Sequence, residues 1–194
     1  GTRARAIKDP ATTVGARPEH SVADILHRTL HPEAESGKTY LVDPERTSNV
    51  TDILLTNDDG IDAPGIATLR TELTALGDVT VVAPDANQSG VGRTRTHVAR
   101  VREHPWGYRL VGTPADCVAY GLRGLDTDFD VVVSGVNNGP NAGNYVVGRS
   151  GTVGAGIEAA FLGTPALAIS GYHSTDFFLS PPEEYDFARP ARIA

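Results

Sequence analysis

Ile53-Leu54-Leu55-Thr56-Asn57-Asp58-Asp59-Gly60 sets three consecutive apolar residues directly before a polar turn closed by glycine. A strand covered on one face alternates apolar and polar residues, whereas a strand buried on both faces reads as a continuous apolar run. The same pattern returns at Val79 to Ala83, stopped by Pro84, at Val131-Val132-Val133, and at Ala166 to Ser170. These four segments are read as strands buried on both faces. Between the first two, Ile66, Leu69, Leu73 and Leu76 recur at helical spacing, with Pro64 near the start and Gly77 just past the end. His97 to Arg102 and Tyr108 to Val111 read as two strands around a Pro-Trp-Gly turn. Thr113-Pro114-Ala115-Asp116 opens a helix, with Thr113 as N-cap, Pro114 in the first helical position and Asp116 in the third. A glycine- and asparagine-rich loop is expected from Ser134 to Arg149, and a helix of small residues from Gly151 to Leu162. Strands and helices alternating in this way predict an α/β fold with a doubly wound, mostly parallel, Rossmann-like sheet.

The segments flanking this body differ from it. Residues 1–50 are broken by Pro10, Pro18, Pro32 and Pro44, and offer one helical stretch, Ser21 to Leu30, and one short strand, Lys38 to Val42. They read as an atypical N-terminal extension of unknown role, set apart from a domain over 51–194. Glu183 to Ala194 reads as the opening of another helix, so the natural protein is expected to continue past Ala194.

Of the 194 residues 40% are apolar, enough for one domain with a sizeable core. No apolar run is long enough to span a bilayer, and the polar first twenty residues show no secretory signal. The single cysteine, Cys117, cannot form an internal disulfide, and a reducing cytoplasm is expected. Residues 1–50 carry seven basic and seven acidic side chains. The other ten basic and seventeen acidic residues supply the whole net charge of −7. Lys8 and Lys38 are the only lysines, so the body is acidic and lysine-free. Such a body is a poor partner for long nucleic acids but can bind a small phosphorylated molecule through a metal ion or backbone amides. Salt adaptation is the other reading of the same skew.

In open parallel sheets ligands bind beyond the carboxyl ends of the strands. Past the first predicted strand stand Asn57, Asp58, Asp59 and Gly60. Past the second come Asp85, Asn87, Ser89 and Gly90, and past the third Ser134, Gly135, Asn137, Asn138, Asn141 and Gly143. These loops supply short oxygen-bearing side chains and no Lys, Cys or His, a set suited to a hard cation such as Mg²⁺ or Mn²⁺ rather than to zinc. Adjacent carboxylates at Asp58-Asp59 repel each other unless a cation or proton intervenes. Asn-Asp-Asp-Gly is also plain turn chemistry, and the coincidence with two further oxygen-rich strand ends favours metal. Ser150-Gly151-Thr152 reads as a helix N-cap that can also seat an anion. Arg93, Arg95 and Arg149 fall near these loops, with solvated surface positions as their default reading. His97, His104 and His173 are isolated and are given no chemistry.

In their order, these loops resemble the SurE family of survival-protein nucleotidases. Ile53 to Gly60 followed by Ala63-Pro64-Gly65, Val82-Ala83-Pro84-Asp85 leading to Ser89-Gly90, and Gly112 to Val118 all follow that family's pattern. So do Val133 to Asn137 with Gly139-Pro140-Asn141, and Ser150-Gly151-Thr152-Val153. The resemblance covers about Asp52 to Gly171. It implies a phosphomonoesterase that acts on nucleoside monophosphates, sometimes also on short polyphosphate, with Asp58 and Asp59 as catalytic residues. One divalent ion would be held by Asp58, Asp59, Ser89 and Asn137. Asn57, Asn141, Ser150, Gly151 and Thr152 would contact substrate or phosphate. A homodimer or homotetramer, exchanging C-terminal segments, is also implied. Residues 1–50 have no counterpart in the pattern, and the family's C-terminal part, with residues linked to proton transfer, is expected to be absent from this sequence.

The expected nucleophile is a water beside the ion; Asp58 as a direct nucleophile is less favoured. A two-component receiver domain also pairs acids after its first strand, but it needs an acceptor Asp after a later strand and a Lys nearby. Here Val133 runs into Ser134-Gly135 and residues 51–194 hold no Lys. A non-catalytic nucleotide or phosphate sensor on the same sheet is the second alternative.

Overall fold

The computed structural model describes residues 50–96, 99–172 and 185–194. The helix expected at Ser21 to Leu30, the strand at Lys38 to Val42, and His97 and His173 lie outside these residues. Residues 50–194 form one compact unit. Its six-stranded sheet has the order β3-β4-β2-β1-β5-β6. The strands are β1 (Thr51–Thr56), β2 (Gly77–Pro84), β3 (Arg100–His104), β4 (Gly107–Val111), β5 (Val131–Asn137) and β6 (Ala166–Ser170). All neighbours are parallel except the β3–β4 pair. The helices are α1 (Pro64–Leu73), α2 (Pro114–Gly124), α3 (Asn144–Val147), α4 (Gly151–Phe161) and α5 (Ala188–Ala191). Among the described residues, no helix is long and apolar enough to cross a membrane.

The continuous apolar runs arise because both faces of the central strands are covered. Ile53 and Leu55 of β1, with Val81 and Val133, pack under Ile66, Leu69 and Leu73 of α1 and Phe187 beside α5. Leu54, Val82 and Val132 face the other way, against Cys117 and Val118 of α2 and Ala155 and Ala159 of α4. Each fully buried Val or Leu contributes about 1.5–3 kcal/mol, so the sheet centre is the stable platform on which the loops stand.

Four local expectations are corrected. Leu76 is 65% exposed and lies beyond α1, which ends at Leu73. Gly77 opens β2 rather than closing the helix; a Cβ there would fall 2.1 Å from the Thr51 carbonyl oxygen, so only glycine lets the two strands pair at that point. β5 continues through Ser134 to Asn137, where the glycine- and asparagine-rich loop was expected to have begun. The hydroxyl and glycine positions stay in the sheet because Ser134 pairs with Thr56 on one side and Ala168 on the other. Lastly, β6 is not buried on both faces. Among the described residues it is the edge strand and its faces are left partly open, with Leu167 41% exposed, since a short apolar run carries no mark of how much of the chain covers it.

Candidate active site

From β1 the sheet is extended in one direction through β2 and β4, and in the other through β5 and β6. Loops leaving β1 and β5 therefore part company at the carboxyl ends of the strands and leave a crevice, the place where such sheets take ligands. Asp58 and Asp59 follow β1 on one side of it, and Asn137 and Asn138 end and follow β5 on the other.

Asn57 prepares the turn. Its buried side chain donates to the Gly60 carbonyl at 2.8 Å and accepts from the Gly60 N–H at 3.2 Å. Both ends are spent within the turn, so Asn57 shapes the loop rather than facing a phosphate. Asp58, only 3% exposed, is claimed by α4: the Thr152 hydroxyl donates to its Oδ1 at 2.5 Å. Gly151 permits that approach, because a Cβ there would lie 2.7 Å from the Asp58 Cβ. Asp59 is met by other elements. The Asn138 backbone N–H donates to Oδ2 at 2.9 Å, and Asn87 Nδ2 reaches Oδ1 at 3.5 Å.

Ser89 rides on the loop after β2. That loop is pinned by the Gln88 N–H on the Asp58 carbonyl at 2.6 Å, and by the Ser89 N–H on Asn87 Oδ1 at 2.8 Å. Asn137 sends its amide nitrogen to the Gly139 carbonyl at 2.7 Å, so its amide oxygen is the atom with lone pairs to offer a cation. Asn141 Nδ2 donates to Ser170 Oγ at 2.7 Å, which ties its loop to the end of β6. Ser150 is the N-cap of α4, its Oγ accepting from the Val153 N–H at 3.1 Å. The N–H groups of the first helical turn, beginning at Gly151 and Thr152, then point out of the helix start without helical acceptors. All the site residues proposed from sequence thus stand at one edge of the sheet. The direct bonds gather Asp58 with Thr152, and Asp59 with Asn138 and Asn87.

Burial pushes both carboxyls above the usual carboxylate range. At Asp58 the Thr152 hydroxyl and the backbone N–H groups of Asp58, Thr152 and Gly151 oppose the shift; at Asp59 the Asn138 N–H opposes it and the charge of Asp58 adds to it. Among the described residues, neither has a basic partner. Two adjacent, desolvated, unneutralised carboxylates are what a bound cation relieves. Among the described residues no group of three or more His, Cys, Asp and Glu is placed to hold a metal. Neutral oxygens must therefore complete any ligand set, a composition that fits Mg²⁺ or Mn²⁺ retaining several waters. A cavity of about 200 Å³ beside Asp59, Asn87 and Asn138 leaves room for them.

The arginines have other engagements. Arg95 Nε donates to Asp116 Oδ1 at 3.0 Å and its terminal nitrogen to Glu158 Oε1 at 2.6 Å, while Arg93 bonds Glu158 Oε2 at 3.2 Å. They tie the loop carrying Ser89 to α2 and α4 and are not free to grip phosphate. Arg149 lies over the Tyr145 ring. Sequence reasoning missed Asn87 and the Asn138 N–H as partners of Asp59. Asn87 stood in an oxygen-rich loop and could have been singled out; a backbone donor has no sequence mark.

Comparison with known proteins follows the same line. A family model described as survival protein SurE matches residues 53–194. The 5'-nucleotidase SurE of Halobacterium salinarum is 54% identical over 136 residues, which cover 70% of this chain and 53% of that protein. The namesake from Legionella pneumophila is 51% identical over 121 residues, 61% of this chain and 48% of that protein. The crystal structure of the SurE protein from Aquifex aeolicus matches with a TM-score of 0.65 at 40% identity, over 73% of this chain and 56% of that one. The chain spans about half the length of the curated relatives it matches.

Proposed function

Since this chain belongs to the SurE family, we propose that it carries the metal and phosphate site of a divalent-metal-dependent phosphomonoesterase acting on nucleoside monophosphates in the cytoplasm. The observation that carries this reading is the carboxylate pair at the switch point of the sheet, with Asp58 held by Thr152 and Asp59 by the Asn138 N–H, and, among the described residues, no basic side chain to neutralise either. The nucleotidase names of relatives about 50% identical support the same reaction class.

Asp58, Asp59, Ser89 and Asn137 would hold one Mg²⁺ or Mn²⁺ ion. When bound, such an ion neutralises charge on a phosphate and activates water at neutral pH. The chain's own contribution is positioning. Thr152 fixes the Asp58 carboxylate and Asn138 fixes that of Asp59, so neither has to reorganise when substrate arrives. The Gly151 and Thr152 N–H groups at the start of α4 face the Asp58 carboxylate, and with the helix dipole they would favour phosphate oxygens placed beside it. Asn141, steadied by Ser170, adds a side-chain amide.

Phosphate release from nucleoside monophosphates, measured with and without Mg²⁺ or Mn²⁺, tests the reading. Release should require the ion and fall by about a hundredfold or more in Asp58→Asn and Asp59→Asn. Ion-dependent nucleotide binding without turnover would instead identify a non-catalytic sensor. The dimer or tetramer implied by the resemblance is tested separately by light scattering.

A further inference from the structure

Beside the phosphate seat lies an open groove of about 530 Å³, within the size range of small-molecule sites. One wall is the Gly90-Val91-Gly92 backbone, the other is α3 and its C-terminal corner, with Asn144, Tyr145 and Arg149. Both walls continue into the site already described, because Ser89 directly precedes Gly90 and Arg149 directly precedes Ser150. The walls are joined at the base, where the Gly92 N–H donates to the Arg149 carbonyl at 2.8 Å. A Cβ on Gly92 would come within 3.0 Å of the Gly148 carbonyl oxygen, and one on Gly154 of α4 within 2.4 Å of the Gly92 carbonyl oxygen. The glycine wall is therefore held tightly against α3 and α4. At Gly90 an added Cβ would meet nothing within 4 Å, so the absent side chain leaves that wall flat.

Two side chains in the groove have the chemistry of a base platform. Tyr145 is 74% exposed, although a tyrosine ring normally buries much of its apolar surface. The Arg149 guanidinium carbon sits 4.5 Å from the centroid of that ring. Among the described residues Arg149 has no carboxylate partner, in a body whose net charge is negative. An aromatic face and a guanidinium plane next to a phosphate seat are what stacks a heterocyclic base. Resting on the proposed phosphomonoesterase reading, we infer that this groove is the nucleobase subsite. The base lies against Tyr145 and Arg149 between the glycine wall and α3 while the phosphate occupies the start of α4. Stacking is tolerant of base identity, so the groove favours nucleotides over base-free phosphate esters without selecting sharply among bases.

The experiment compares adenosine 5'-monophosphate with ribose 5-phosphate on the intact protein in Mn²⁺, by calorimetric binding and by phosphate release. The nucleotide should bind about tenfold or more tightly than ribose 5-phosphate. Tyr145→Ala should bring that ratio close to one, Arg149→Gln should lower it, and Tyr145→Trp should retain it, which loss of a merely structural contact would not do. Equal affinity for the two ligands in the unmodified protein overturns the proposal, as does an unchanged ratio in both Tyr145→Ala and Arg149→Gln. A base-dependent ratio that follows Tyr145, without phosphate release, leaves the groove standing and removes the phosphatase reading. Equal turnover and equal binding of the two esters do the reverse.

Discussion

Asp58 and Asp59 are consecutive residues whose side chains are held by different elements, Thr152 of α4 and the backbone after β5. Each carboxyl is raised by burial, so in the metal-free protein the folded state holds protons more tightly than the unfolded chain does. Their contribution to stability is therefore fully present below the unfolded carboxyl value near pH 4 and is lost as pH rises through the higher folded values. Asp59→Asn keeps an oxygen for the Asn138 N–H and removes the repelling charge. Its metal-free melting temperature at pH 7 should rise above that of the unmodified protein, while the shift produced by Mn²⁺ disappears; scanning calorimetry measures both. Gly151→Ala tests the close approach instead. Its methyl group would meet the Asp58 side chain, so urea unfolding should show a loss of about 1–3 kcal/mol, accompanied by loss of phosphate release. Glycine at 151 was legible as a helix start and an anion seat but not as a packing requirement, since the Asp58 side chain that excludes any larger residue lies 93 positions earlier.

The capping box that opens α2 shows what local sequence can reveal at the level of an element. Thr113 accepts from the Asp116 N–H at 3.2 Å, Asp116 Oδ2 accepts from the Thr113 N–H at 2.9 Å, and the Thr-Pro-Ala-Asp spacing announces this arrangement without any distant information. What the spacing does not announce is the second use of Asp116. Thr96 and Arg95 also donate to it, so the carboxylate that caps α2 anchors the loop bearing Ser89 as well. Burial alone would raise its pKa, but hydrogen bonds from Thr113, Thr96 and Arg95 outweigh that and hold it below the usual range. Its contribution to stability is thus fully present above pH 4 and is lost as pH falls through the lower folded value. Asp116→Asn should be less stable than the unmodified protein at pH 7, by about 2 kcal/mol, with the gap closing in acid; urea midpoints across pH would follow it. The edge position of β6 escaped sequence reading for a related reason. Its short apolar run matches those of the central strands, while what covers it or lies alongside depends on residues distant in the sequence.

At the scale of the molecule, the alternation of buried strands and helices was readable because each signal is local, and the strand order places the resulting loops in one crevice. Which side chains touch there depends on residues far apart in sequence, and neither Asn87 on Asp59 nor Arg95 on Glu158 could be read from spacing. Cation and protons compete for the same pair of carboxylates, so the thermal shift given by saturating Mn²⁺ should be large at pH 7.5 and shrink steadily on acidification, reversing with a chelator. At about a hundred times its dissociation constant the ion should add about 2.7 kcal/mol. The bonds on Asp58 and Asp59 also set a mechanical limit. One residue apart in a single turn, the two carboxylates act as a gauge of fixed length between α4 and the end of β5. Neither flank can swing outward without surrendering a hydrogen bond, so the jaws of the crevice are preset, and crystals grown with and without Mn²⁺ and nucleotide should differ there by less than about 1 Å in backbone position.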